Sequence, residues 1–325
     1  MRRILVTGGA GFIGSNFIKY FLEHHPTDSV INLDLLTYAG NLKNLEELRG
    51  NPRYEFVKGD ITDEELVEKL LRRVDAAVNF AAETHVDRSI KDPSSFVRTN
   101  YLGVHNLLEK ARRAKIKRFV QISTDEVYGS TATGSFHEDS PLEPNSPYSA
   151  SKAAADLLVR SYWITYKFPV LITRSSNNFG SYQYPEKVIP LFITNLMEGK
   201  KVPLYSRGEN IRDWIYVEDN CSAVDLVLEN GEDGEVYNIA GLNEMTNIEL
   251  TKTILKAFSK ADDFIEYVAD RPGHDFRYSI DSSKIQKLGF NPRYRFDEAL
   301  SRTIEWYKSN TAWWKPLKRD EFTVK

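Results

Sequence analysis

Between Arg3 and Thr173, short apolar runs alternate with stretches of helical periodicity. The runs are Arg3–Thr7, Val30–Asp34, Tyr54–Lys58, Ala76–Ala81, Arg118–Ser123 and Val170–Thr173. Several are continuously apolar, as strands covered by helices on both faces should be. Between them, Asp63–Leu71, Asn100–Ala114 and Tyr148–Tyr166 read as helices, the last opened by Pro147. This alternation predicts an α/β fold with a doubly wound parallel sheet.

Beyond Arg174 the rhythm changes. Ser175–Pro190 is polar and aromatic, with glycine and proline, and reads as a long functional loop. A helix over Leu191–Met197, a second short sheet region and an amphipathic helix over Phe296–Tyr307 follow, and Val236–Ile239 reads as a strand returning to the first sheet. The expected division is a dinucleotide-binding domain over residues 1–174 with a return segment at 214–240. A smaller C-terminal α/β lobe would take 175–213 and 241–325. With no repeat or linker between them, the lobes are expected to be interleaved.

At 325 residues the chain exceeds the usual size of a single core. A net charge of −3 leaves no footprint for nucleic acid or an anionic membrane, so the expected partner is a small molecule. No apolar run approaches the roughly 20 residues that span a bilayer. The basic start, Arg2-Arg3, runs at once into glycines and lacks a signal-peptide core. The single Cys221 excludes an internal disulfide and fits a reducing cytoplasm. Neither it nor the six histidines show metal-ligand spacing, so no metal is expected.

The first run ends in Thr7-Gly8-Gly9-Ala10-Gly11-Phe12-Ile13-Gly14. Gly8, Gly11 and Gly14 allow a tight turn, close approach of backbone to a pyrophosphate, and packing of the next helix on the strand. The N-terminus of that helix offers free N–H groups to phosphate. Asp34 closes the second run about 20 residues beyond Gly14, where an acid binds adenosine ribose hydroxyls. A carboxylate there repels the extra phosphate of NADP, so NAD is expected, with Phe12, Ile13, Leu35 and Thr37 beside it. Asp60 and Ile61, after the third run, are expected near the adenine.

Tyr148 and Lys152 stand four apart on a predicted helix and share a face. That spacing lets an ammonium favour phenolate and lower the tyrosine pKa. Thr124 ends the fifth run, at the strand ends where such sheets bind ligands, and can polarise the oxygen that Tyr148 deprotonates. The glycine motif together with Tyr148-x-x-x-Lys152 resembles the extended short-chain dehydrogenase/reductases. The resemblance implies a Rossmann domain with a small substrate lobe.

Asp125 and Glu126 follow Thr124, where similar nucleotide-sugar epimerases usually have small neutral residues. An epimerase oxidises C4 and returns the hydride, whereas a dehydratase needs two further proton transfers. Adjacent acids after a strand also suit a solvated loop. The segments Phe80–Ile90, Arg174–Gly180, Tyr182–Lys187, Arg212-Asp213-Trp214, Asp270–Asp275 and Trp313–Leu317 resemble the dTDP-glucose 4,6-dehydratase branch, nearly end to end. That resemblance implies Asp125 as acid and Glu126 as base, with Ala81, Ala82, Thr84 and Thr99 on the nicotinamide side. It further implies that Thr84, Thr124, Asn177, Lys187, Val188, Arg212, Asn247, Arg271 and His274 hold the nucleotide sugar. The arginines suit a diphosphate, which guanidinium binds in bidentate fashion.

Two departures stand out. Ser130–Pro141 is short where many relatives carry an insertion, and Ser181 replaces a frequent proline. The helices at Asn100–Ala114 and Tyr148–Tyr166 resemble those that pair into a four-helix interface in the family, so a homodimer is expected. The expected activity is dehydration of dTDP-glucose to its 4-keto-6-deoxy product. The rival readings are a UDP-sugar epimerase, a UDP-glucose dehydratase and a non-catalytic NAD-binding scaffold.

Overall fold

The computed structural model describes residues 1–270 and 273–318. Its first half runs β1 (Arg3–Thr7), α1 (Phe12–His24), β2 (Ser29–Asp34), β3 (Tyr54–Lys58), α2 (Glu64–Leu71) and β4 (Ala76–Asn79). Helices α3 (Val86–Lys91) and α4 (Ser94–Phe96) lead into a π-helical stretch, Val97–Gly103, and α5 (Val104–Ala114). Strand β5 (Arg118–Thr124) passes into a 3₁₀ turn, Asp125–Tyr128, and then come α6 (Pro147–Tyr166) and β6 (Val170–Ser175). The expected helix from Asn100 is thus α-helical only from Val104. Asn100 there bonds the Glu83 backbone through both ends of its amide and also reaches Ser151 Oγ (2.9 Å). Such π distortions commonly serve sites.

The second half follows as β7 (Asn177–Phe179), α7 (Val188–Met197), β8 (Val202–Tyr205), β9 (Ile211–Tyr216), α8 (Val217–Asn230), β10 (Val236–Ile239) and β11 (Glu244–Thr246). Then come α9 (Asn247–Ala257), β12 (Ile265–Val268), α10 (Ser283–Lys287), α11 (Phe296–Ser309) and α12 (Thr311–Trp314). The expected loop Ser175–Pro190 is therefore wrong at both ends. Asn177–Phe179 pairs with β9 and buries Phe179, and α7 opens already at Val188.

The main sheet is parallel, in order β10-β6-β5-β4-β1-β2-β3. Its strands are apolar on both sides because α1 and α8 cover one face and α2, α5 and α6 the other. The order reverses between β1 and β4, which opens a crevice at their C-terminal ends. A buried polar chain braces that edge: Thr7 Oγ1 donates to Asn79 Oδ1 (2.5 Å), and the Asn79 amide donates to Gln121 Oε1 (2.8 Å). The lobe has a small sheet, β11-β9-β7, and the pair β12-β8 around its own core, which includes Tyr307 and Trp314.

Candidate active site

The turn after β1 needs its glycines for steric reasons. Gly8 has φ +68°, and a Cβ there would lie 2.6 Å from the Ala81 nitrogen. A Cβ on Gly14 would lie 2.4 Å from the Gly8 carbonyl oxygen, which is how closely α1 packs on the turn. Asp34 is buried and accepts from the N–H groups of Ala10 (2.9 Å) and Leu36 (2.8 Å). Each carboxylate oxygen keeps a lone pair for a ribose hydroxyl. Burial nevertheless raises its pKa, which those two N–H donors offset in part.

One cleft gathers every residue expected at the cofactor. Gly8, Gly11, Phe12, Ile13 and Gly14 line it, together with Asp34, Leu35, Thr37, Asp60 and Ile61 and with Ala81, Ala82 and Thr99. Thr124, Asp125, Glu126, Tyr148 and Lys152 line the same cleft, as do Thr84, Asn177 and Lys187. The donor set fits a dinucleotide: a backbone cradle no Cβ would leave open, a buried acid at the end of β2 suited to a ribose, and the partnerless buried atom Asn177 Oδ1. Sequence reading missed Tyr38, whose hydroxyl donates to Glu186 Oε1 (3.0 Å) across the cleft, beneath the Arg88 guanidinium (3.6 Å from the ring centre). Nothing local marks that contact, because its partners are 148 positions apart.

The reacting groups come from two elements. Ser146 caps α6 in a reciprocal box with Ser149, and Pro147 sets the first turn, so Tyr148 and Lys152 start one helical face. Lys152 donates to the Ile122 carbonyl (2.6 Å), and burial lowers its pKa to about 8. The Tyr148 phenol and the Thr124 hydroxyl line the same cleft, where Thr124 favours the phenolate. Its pKa is raised well above normal by burial, then by the charges of Glu126 and Asp125. This corrects the expectation from spacing alone: the lysine charge points at a carbonyl, while two acids face the phenol.

Thr124 Oγ1 caps the 3₁₀ turn by accepting from the Glu126 N–H (3.3 Å), and it donates to Asp125 Oδ1 (3.2 Å). Asp125 is buried, and its Oδ2 has no partner. Burial holds its pKa well above the carboxylate range, with Glu126 and Asp213 adding to this. Burial thus favours its protonated form, which suits a proton donor. The raised folded pKa means the native state binds more protons than the unfolded chain above about pH 4, so Asp125 costs stability increasingly as pH rises. Asp125→Asn is therefore expected to raise the thermal midpoint at neutral pH and not at strongly acidic pH. A gain independent of pH in calorimetric scans would contradict this.

The other expected sugar contacts are more scattered. The Arg212 guanidinium is buried and donates to the carbonyls of Ile211 (2.7 Å), Asp275 (2.8 Å) and Phe276 (3.2 Å), over the Tyr278 ring. It bears electrostatically on Asp125. His274 Nδ1 pairs with Asp270 (2.6 Å) against Tyr205; Asn247 opens α9; Val188 opens α7 against the lobe core. None of these four lines the main cleft. Arg271 lies outside the described residues. Among the described residues, one cluster with metal-ligand spacing, His25, Asp225 and Glu229, lies away from the cleft, with Arg2 ion-paired to Glu229 (2.5 Å).

Comparison with known proteins separates the dehydratase and epimerase readings. The family model described as GDP-mannose 4,6 dehydratase matches residues 5–303. A dTDP-glucose 4,6-dehydratase of Streptomyces niveus is 53% identical over 99% of this chain and 97% of its own. The chain belongs to the dTDP-glucose 4,6-dehydratase family. A family structure from Streptomyces venezuelae, with NAD bound, is 52% identical with a TM-score of 0.96, covering 97% of this chain and 100% of its own. The Thermus thermophilus UDP-glucose 4-epimerase, also with NAD, keeps the fold at a TM-score of 0.87 but only 30% identity, covering 95% and 99%.

Asp34→Ala is expected to weaken NAD binding by about 1.5–3 kcal/mol, roughly 10- to 100-fold in Kd. Titration calorimetry with unchanged affinity would remove Asp34 from the ribose site.

Proposed function

We propose that the chain holds NAD in this cleft and dehydrates dTDP-glucose to the 4-keto-6-deoxy product. The observation that carries it is the Asp125-Glu126 pair, Asp125 buried and Glu126 half-buried, beside Thr124 and Tyr148, which oxidation at C4 alone does not need. Bound there, NAD would accept hydride from C4, return it at C6, and add a positive charge that favours the Tyr148 phenolate. Tyr148, beside Thr124 in the cleft, takes the C4 hydroxyl proton. Lys152 would hold the cofactor on this side of the cleft, and it ties α6 to β5 through the Ile122 carbonyl. With C4 a ketone, Glu126 removes the acidified C5 proton. Asp125 gives its proton to the departing C6 hydroxyl, which leaves as water. Water elimination thus uses the two acids in opposite senses, one giving a proton and the other taking one.

Asn177, Thr84 and Lys187, which line the cleft, are assigned to the hexose and diphosphate. Arg212, Arg271, Asn247, His274 and Val188 are assigned to the nucleotide end on resemblance. Purified protein, given dTDP-glucose, UDP-glucose and GDP-mannose separately without added NAD, should form a dehydrated keto product from dTDP-glucose fastest. A 4-epimer without mass loss would refute the assignment.

The described residues contain no helix long and apolar enough to cross a membrane. We place the enzyme in the cytoplasm, in keeping with its one buried thiol, Cys221. We further assign a homodimer through α5 and α6. Val97, Leu102, Leu157, Ile164 and Tyr166 on and beside these helices are all more than half exposed, a liability unless covered. Light scattering at micromolar concentration should give twice the monomer mass; a monomer mass refutes this assembly.

A further inference from the structure

The Trp313–Leu317 segment, conspicuous in the sequence, is not used by the chemistry above. Its position gives it a role. One wall of the dinucleotide cleft is the glycine turn with Ala10; the facing wall is the lobe segment Tyr182, Gln183 and Tyr184. The C-terminal helices lie behind both.

Trp313 touches each wall. Its indole N–H donates to Asn44 Oδ1 (2.8 Å), and the buried Asn44 amide donates to the Ala10 carbonyl (2.9 Å). Ala10 in turn donates its own N–H to Asp34 (2.9 Å), so the chain reaches the ribose-binding acid. On the other side the Trp313 ring meets Tyr182 edge to face (5.8 Å between centres). Tyr182 has a left-handed backbone, φ +68°, a strained state that persists only where its surroundings impose it. Trp306 (4.7 Å) and the Lys19 ammonium (3.8 Å) grip the same ring. The neighbours are tied down too: Tyr307 donates to the Gln183 carbonyl, and Tyr184 donates to that of Leu317 (3.1 Å).

We propose that Trp313 is a cofactor-positioning residue, which with Asn44 pins the two cleft walls together and retains NAD through turnover. The need for such a device follows from the reaction, because a cofactor that left after oxidation would carry off the hydride the product requires. The inference rests on NAD being the resident cofactor.

The holoenzyme is loaded with radiolabelled NAD and diluted into unlabelled NAD, and loss of label is timed. Trp313→Phe keeps an aromatic ring but loses the donor, and should release label ~10-fold faster, the worth of one buried hydrogen bond. Asn44→Ala should do the same, and the double variant should be little faster than either, since both cut one chain. The apparent KM for NAD should rise while kcat in excess NAD falls far less. Trp314→Phe is the control: its indole donates to Tyr307 O (2.9 Å) inside the lobe core. It should lower the melting temperature without hastening release. Native release from both Trp313→Phe and Asn44→Ala overturns the inference, as does equal acceleration by Trp314→Phe. Wild-type protein that retains no label refutes the cofactor reading instead.

Discussion

The Asp125→Asn/Glu126→Gln double variant is expected to oxidise dTDP-glucose and then stall. Both amides keep the shape of the acids they replace, and the 3₁₀ turn is capped by Thr124, which is untouched. What is lost is the proton that Asp125 holds in its buried position and the base beside it. General acid–base contributions are typically about 100- to 10,000-fold, so overall turnover should drop by at least that order. Oxidation should not be slowed alongside. The Glu126 charge raises the Tyr148 pKa, so its removal makes the phenol easier to ionise. Stopped-flow absorbance should therefore show reduced nicotinamide that builds up and persists. If the double variant dehydrates at near the native rate, the pair is no part of the elimination.

Tyr148→Phe should fail one step earlier. The ring stays packed edge-on against Phe96, so the fold is retained. The hydroxyl that takes the C4 proton is gone. Turnover should fall by roughly 100- to 10,000-fold, with no build-up of reduced nicotinamide in the same absorbance trace. The contrast between the two traces separates oxidation from elimination. A Tyr148→Phe enzyme that accumulates reduced cofactor would assign the oxidation base elsewhere.

How much of this was legible in the chain depends on distance along it. The glycine turn, Asp34 and the Tyr148–Lys152 face are local patterns, and backbone sterics or helix pitch make them readable. Alternation of apolar runs placed the strands of the main sheet. Contacts between lobes were not readable: Tyr38 meets Glu186 and Trp313 meets Asn44 across 148 and 269 positions. The three-residue strand Asn177–Phe179 is too short to show a period, and only its pairing with β9 defines it. Charge was the least legible. Helical spacing correctly brought Lys152 near Tyr148, yet the lysine donates to Ile122, and the neighbouring acids decide the phenol's pKa. Arg212, read as a diphosphate ligand, satisfies three backbone carbonyls, a use that nothing in its sequence neighbours announces.

The central claim is that one bound cofactor moves hydride from C4 to C6 of the same sugar while water is lost between. The most direct measurement uses dTDP-glucose deuterated at C4, purified enzyme and no added NAD, with the product examined by mass spectrometry and NMR. The account predicts a 4-keto-6-deoxy sugar that carries the deuterium at C6. Deuterium returned to C4 of an otherwise intact hexose, or product formed only when NAD is supplied in stoichiometric amount, would contradict it.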